Sequence, residues 1–190
     1  MPRIILASGS PRRKELLGKL YSKFDIITGD VDETLPENMH PRLGVEVLAV
    51  RKGEAVARHH DDAVVISSDT LVEIDGIPLG KPVSRDDAYR MLTMLSGNYH
   101  HVHTGVAVHF QGRVRSGVAS ARVKFKSLSD SDIWEYIDTL EPMDKAGAYA
   151  IQGIGGKFIE GYDGDFDTIM GLSVSLTKEL IGAAGGEENE

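Results

Sequence analysis

The segment Ser8-Gly9-Ser10-Pro11-Arg12-Arg13-Lys14-Glu15 places three consecutive cations directly behind a serine and a proline. Ser10 suits a helix N-cap and Pro11 the first helical position. The first turn of a helix already carries partial positive charge, so each basic residue there costs roughly 0.3–1 kcal/mol. An anion bound at the helix N-terminus reverses that sign and uses the free N–H groups. The plain alternative is a solvated basic turn that tolerates the cost. A Walker loop is excluded, because G-x-x-x-x-G-K is missing.

Acids follow. Ser67-Ser68-Asp69-Thr70 comes after an apolar run, at the expected C-terminal end of a strand. An Asp there can hold a hard cation or take a proton from water; a turn aspartate is the alternative. Glu33, within Asp30-Val31-Asp32-Glu33, belongs to a carboxylate cluster able to hold Mg²⁺ or Mn²⁺, or simply to be solvated. Lys52 and Lys81 are isolated cations with weaker individual signals. Asp163-Gly164-Asp165-Phe166-Asp167 resembles the start of a calcium loop, but Thr168 and Val174 stand where Gly and Glu are needed. His101 and His103 share a strand face without a third ligand, which favours hydrogen bonding over metal binding. No G-x-S-x-G elbow is present.

These side chains need a frame. The pattern predicts a strand over 3–7, a helix from Pro11 to about Tyr21 and a strand over 24–28. The acidic stretch 30–42 reads as a loop, and a helix follows over 43–59 with Leu48, Lys52 and Ala55 on one face. The run 63–67 suits a short buried strand, and Asp75-Gly76 joins 71–74 to 77–79 as a hairpin. Ser84 caps a helix ending at Ser96-Gly97. A strand over 99–110 turns at Gln111-Gly112, and 119–126 alternates with Ala121, Val123 and Phe125 on one face. Ser129 caps a helix to about Leu140, the glycine-rich stretch 147–156 leads to two further strands, and a last helix spans 173–181. Residues 184–190 read as a flexible acidic tail. Strands and helices are mixed without a linker, so the class is α/β or α+β in one domain over 1–183.

Composition narrows the function. Hydrophobic residues at 41% and charged residues at 26% of 190 positions describe a globular chain. The absence of cysteine excludes disulfides, zinc–thiolate sites, iron–sulfur clusters and thiol nucleophiles. A net charge of -8 argues against a nucleic-acid polymer as partner, while a local basic cluster still suits a small anion. No run reaches the length of a membrane span, and the short apolar N-terminus lacks the core of a secretory signal, so the expectation is a cytoplasmic protein with no membrane partner.

Leu6-Ala7-Ser8-Gly9-Ser10-Pro11-Arg12-Arg13-Lys14-Glu15-Leu16-Leu17 resembles the opening signature of the Maf family. Glu33, Lys52, Ser67-Ser68-Asp69-Thr70, Gly80-Lys81-Pro82, Ser96-Gly97 and His101-Val102-His103-Thr104-Gly105 follow in the family's order. So does Asp144-Lys145-Ala146-Gly147-Ala148-Tyr149-Ala150-Ile151-Gln152-Gly153, and the likeness runs from about residue 4 to residue 180. It implies a nucleoside triphosphate pyrophosphatase that yields a monophosphate and pyrophosphate. The implied fold is α/β, elongated and two-lobed, with a central mixed sheet and a cleft, similar to the inosine triphosphatase group. A divalent cation, Mg²⁺ or Mn²⁺, and a homodimer are implied as well.

Carried onto this chain, the resemblance assigns Ser8, Arg12, Arg13, Lys52 and Lys81 to the triphosphate. Glu33 and Asp69 become metal ligands, and Asp69 also the base for the attacking water. Asp69-Thr70 and the Gln152 block resemble the branch acting on dTTP and UTP rather than the one acting on 7-methyl-GTP, with a pyrophosphatase for 7-methyl-GTP or inosine triphosphate as the alternative enzyme. Arg12, Thr70 and Gln152 would set that preference. An amide both donates and accepts, so Gln152 can meet the imide edge of uracil or thymine at two points. The family's association with arrest of septum formation keeps a nucleotide-sensing regulator without turnover as the rival. Asp167-Thr168-Ile169-Met170-Gly171-Leu172-Ser173 departs from the family's usual Asn-Val-Val-Gly-Leu-Pro. That departure is expected to alter geometry beside the last helix and to leave the triphosphate residues untouched.

Overall fold

The computed structural model describes residues 1–185. In chain order the regular elements are β1 (Arg3–Leu6), α1 (Pro11–Leu17), β2 (Asp25–Ile26), α2 (Pro41–Ala57), β3 (Ala63–Ile74), β4 (Ile77–Leu79), α3 (Arg85–Leu95) and β5 (Tyr99–Phe110). They continue with β6 (Arg113–Phe125), α4 (Asp130–Asp138), β7 (Ile159–Asp163), α5 (Phe166–Met170) and α6 (Val174–Ala184). Three 3-10 segments, Glu141–Asp144, Ala146–Ala148 and Ile154–Phe158, lie between α4 and β7. The strands are ordered β2-β1-β3-β5-β6-β7, with β4 also paired to β3. The sheet is mixed: β1 is parallel to β2 and β3, whereas β4 and β7 run antiparallel to their partners.

The chain forms two compact units. The first holds Met1–Thr70, Thr104–Ala119 and the chain from Gly171 onward; the second holds Leu71–His103 and Ser120–Met170. In the first, Ile5 and Leu6 are fully buried and register with Val65 and Ile66. The Ser67 hydroxyl donates to the Ala49 carbonyl at 2.6 Å, which pins α2 to β3. In the second, α3 and α4 pack together over Val102, Val123, Phe125, Ile133 and Phe158.

Local signals account for most elements. Ser10, Ser84, Ser129 and Ser173 each cap the helix that follows, and Ser129 forms a full capping box with Asp132. Asp75 and Gly76 at φ 50° and 78°, and Gln111 and Gly112 at φ 49° and 74°, make the left-handed two-residue turns that hairpins favour. Ala121, Val123 and Phe125 are buried as their alternation requires.

Four expectations change. The Ser67–Thr70 segment lies in the middle of β3, not at its end, because Leu71–Ile74 continue the strand to pair with β4. α1 stops at Leu17, before Gly18, and the chain then closes through two i→i+3 bonds, Lys19 to Leu16 and Leu20 to Leu17. α2 starts at Pro41 with His40 as its cap, two residues earlier than the pattern indicates. The two strands expected after the glycine-rich stretch are one strand, β7, and the short helix α5. Of the expected tail, Ala184 ends α6 and Gly185 caps it, and 186–190 lie outside the described residues. Among the described residues no helix is long and apolar enough to cross a membrane.

Candidate functional site

The basic turn opens α1. Ser10 accepts the Arg13 N–H at 3.4 Å, Pro11 occupies the first position, and no acidic residue offsets the charge there. Arg13 folds back from the turn. Its Nε donates to the Gly171 carbonyl at 2.8 Å, and its terminal nitrogens donate to Thr70 Oγ1 at 3.2 Å and Ser8 Oγ at 3.5 Å. Gly171 also accepts Ser68 Oγ at 2.9 Å and Thr70 Oγ1 at 3.4 Å. Three side chains, one from α1 and two from β3, thus converge on one carbonyl. Gly171 adopts φ 127°, a conformation closed to other residues without strain. Thr104 Oγ1 completes the group, 3.0 Å from Thr70 Oγ1.

Burial pushes the Arg13 pKa down; Asp69 and Glu33 oppose this electrostatically, while Arg12 adds to it. Those three residues therefore lie within electrostatic reach of the guanidinium. Lys52, from the fourth turn of α2, is the hub of the acidic part. Its Nζ donates to Asp69 Oδ1 at 2.5 Å and lies 3.0 Å from Glu33 Oε1. The Asp69 side chain is 16% exposed and that of Glu33 62%, so one carboxylate is sheltered and the other reaches solvent.

Glu33 is held by its neighbours. Arg51 donates one nitrogen to the carbonyls of Asp32 and Thr34, at 3.0 and 2.7 Å, on either side of Glu33. Asp32 Oδ1 accepts the Thr34 N–H at 2.9 Å. Hydrogen bonds from Thr34 hold the Asp32 pKa below the usual carboxylate value. Glu33 thus sits at the tip of a small braced turn.

Ser8, Arg12, Arg13, Glu33, Lys52, Asp69 and Thr70 all belong to the first unit. Lys81 and Gln152 belong to the second. Lys81 is exposed in the bend after β4, and Gln152 is exposed in a turn between two 3-10 segments. His103 is a hydrogen-bonding residue, 2.7 Å from Ser120 Oγ and 2.6 Å from Glu73 Oε2.

Sequence reasoning missed Arg51, Ser68, Thr104 and the Gly171 carbonyl. Asp32-x-Thr34 is a legible turn pattern that could have pointed to a braced Glu33. No pattern pointed to the bond between Arg13 and the Gly171 carbonyl.

Among the described residues no group of three or more His, Cys, Asp or Glu side chains is placed to hold a metal. Glu33 and Asp69 nonetheless meet one ammonium group between them. Two hard carboxylates around one cation suit Mg²⁺, which is usually bound by one or two carboxylates together with waters and substrate phosphates. Arginine, lysine and a helix N-terminus beside that pair favour a polyphosphate.

A family model described as "Maf-like protein" matches residues 3–184. A protein of Bdellovibrio bacteriovorus named dTTP/UTP pyrophosphatase is 44% identical over 187 residues, covering 95% of this chain and 97% of that protein. One of Bacillus velezensis with the same name is 47% identical over 179 residues, covering 94% and 95%. Among solved structures, the Staphylococcus aureus Ham1 protein is similar with a TM-score of 0.52 at 16% identity, covering 95% of this chain and 89% of that one. That last likeness concerns the fold.

Proposed function

The chain belongs to the Maf family, and from that premise we propose that it is a nucleoside triphosphate pyrophosphatase acting on dTTP and UTP. The observation that carries this reading is the convergence of Arg13, Lys52, Glu33 and Asp69 in one unit. A triphosphate brings about four negative charges, which two fixed cations and the α1 N-terminus partly offset.

In the reaction, a water oxygen bonds to the α-phosphorus while the bond from that phosphorus to the α–β bridging oxygen breaks. Pyrophosphate leaves with that bridging oxygen, and the water's proton passes to Asp69. Asp69 is sheltered enough to orient a single water and lies on a rigid strand. Lys52 transfers its ion pairing from the carboxylates to phosphate oxygens. Arg13 grips phosphate through its planar fork, with Arg12 beside it, and Ser8 and Thr70 hold that fork in plane. Glu33 and Asp69 would hold a divalent cation, Mg²⁺ or Mn²⁺, which when bound supplies Lewis acidity to the phosphoryl oxygens. Lys81 adds a further point charge. Gln152 reads the imide edge of the base, and Arg12 and Thr70 contribute to base selection. The two units serve one catalytic domain over 1–183, and the working protein is a cytoplasmic homodimer.

Pyrophosphate release from dTTP, UTP, CTP, ATP, 7-methyl-GTP, and inosine and xanthosine triphosphates tests the assignment. The expected result is a clear preference for dTTP and UTP, with turnover of both strongly reduced in Asp69→Asn. Preference for a purine rejects the substrate; nucleotide binding without turnover establishes a sensor instead. Light scattering on the purified protein reads the oligomeric state.

A further inference from the structure

Gln152 sits on a turn whose backbone is anchored on one side by Tyr136 and on the other by Glu141. Before the turn, the Ala150 N–H donates to Tyr136 Oη at 3.1 Å. After it, the N–H groups of Ile154 and Gly155 donate to Glu141 Oε1 and Oε2, each at 3.0 Å. Tyr136 Oη donates to Glu141 Oε2 at 2.5 Å, which closes the ring. The Gly153 N–H donates to the Ala150 carbonyl at 3.2 Å, tightening the turn from within. All these groups belong to the second unit.

The packing leaves no slack. A Cβ at Gly153 would lie 2.0 Å from Glu141 Oε1, and one at Gly155 would lie 2.5 Å from Tyr136 Oη. Tyr136 is itself buried in the core, 1% exposed, so the anchor is fixed to α4. Burial pushes the Glu141 pKa up, yet the hydrogen bonds from Tyr136, Gly155 and Ile154 together outweigh it and keep the carboxyl below its ordinary value. The carboxylate is thus committed to the turn. The Gln152 side chain, by contrast, is exposed and makes no hydrogen bond among the described residues.

We propose that Tyr136 and Glu141 are positioning residues for base recognition: they hold the turn so that the Gln152 amide presents its donor and acceptor in register. This rests on the reading of Gln152 as the partner of the imide edge. A two-point match tolerates little rotation, so a loosened turn lowers discrimination before it lowers turnover.

The test compares kcat and KM for UTP and CTP in the wild type, Glu141→Gln, Tyr136→Phe, Gln152→Ala and each double variant with Gln152→Ala. Hydrogen exchange at Ile154 and Gly155 and thermal melting are measured alongside. Glu141→Gln is expected to lower the UTP-over-CTP ratio of kcat/KM about tenfold, mainly through KM for UTP. Exchange at the two amides speeds up, and the ratio changes no further once Gln152 is already alanine. Tyr136→Phe gives the same pattern where Glu141→Gln melts too early to assay. A Gln152→Ala variant with altered preference beside an unaltered Glu141→Gln and Tyr136→Phe overturns this proposal and leaves the Gln152 reading standing. Independent, additive losses overturn it too. An unchanged preference in Gln152→Ala overturns the Gln152 reading and this proposal with it.

Discussion

The cluster of Arg13, Lys52, Glu33 and Asp69 in the first unit and the Gln152 turn of the second are built on opposite plans. In the first, the charged side chains are held by partners within the unit. Lys52 is engaged by Glu33 and Asp69, and Arg13 by Gly171, Thr70 and Ser8. Each must exchange partners to meet a ligand. In the second, the turn's backbone is bonded to Tyr136 and Glu141, and the Gln152 side chain makes no hydrogen bond among the described residues. Charge that must be desolvated is kept compensated until needed, whereas shape that must be read is set in advance.

That contrast can be broken in order of expected effect. Asp69→Asn removes the base and one of the two partners of Lys52, and kcat for pyrophosphate release is expected to fall about 10³-fold. Retained activity would move the base elsewhere. Arg13→Lys keeps the charge but loses the planar fork, and kcat/KM is expected to drop about 10²-fold. Gly153→Ala drives a methyl into Glu141 and is expected to cut base discrimination about tenfold, with kcat for UTP within about twofold. Arg51→Met frees the Glu33 turn and is expected to weaken Mn²⁺ binding about threefold, read by titration of the nucleotide-free protein.

A pH experiment probes the second unit separately. Burial, with a smaller contribution from His101, lowers His100 from 6.5 to about 3. The folded protein keeps this imidazole neutral, with Nε2 at 2.7 Å from Tyr149 Oη. Its contribution to stability is complete above the unfolded value and is lost as pH falls from about 6.5 toward 3, at up to about 1.4 kcal/mol per pH unit. Denaturant melts at pH 7 and pH 5 are expected to diverge in the wild type and to converge in His100→Gln.

Much of the frame was legible because its signals are local. A capping serine or a left-handed two-residue turn acts within four residues, and the 119–126 alternation needs only its own strand. The residue types of the site were legible too, since acids and clustered cations declare their chemistry. Pairings were not. Ser67–Thr70 looked like a strand end because only the β4 partner reveals that β3 runs on. The Tyr136–Glu141 ring was hidden because its acceptors serve backbone N–H groups, which leave no mark on side-chain pattern. Gly171 was hidden by distance, 158 positions from Arg13.

That distance has a consequence during synthesis. The guanidinium of Arg13 and its carbonyl seat at Gly171 are translated 158 positions apart. A nascent chain therefore carries an unseated arginine until Gly171 has been made. The ordered placement of this side chain is thus a late event, set by the arrival of Gly171 and not by the helix that carries the arginine.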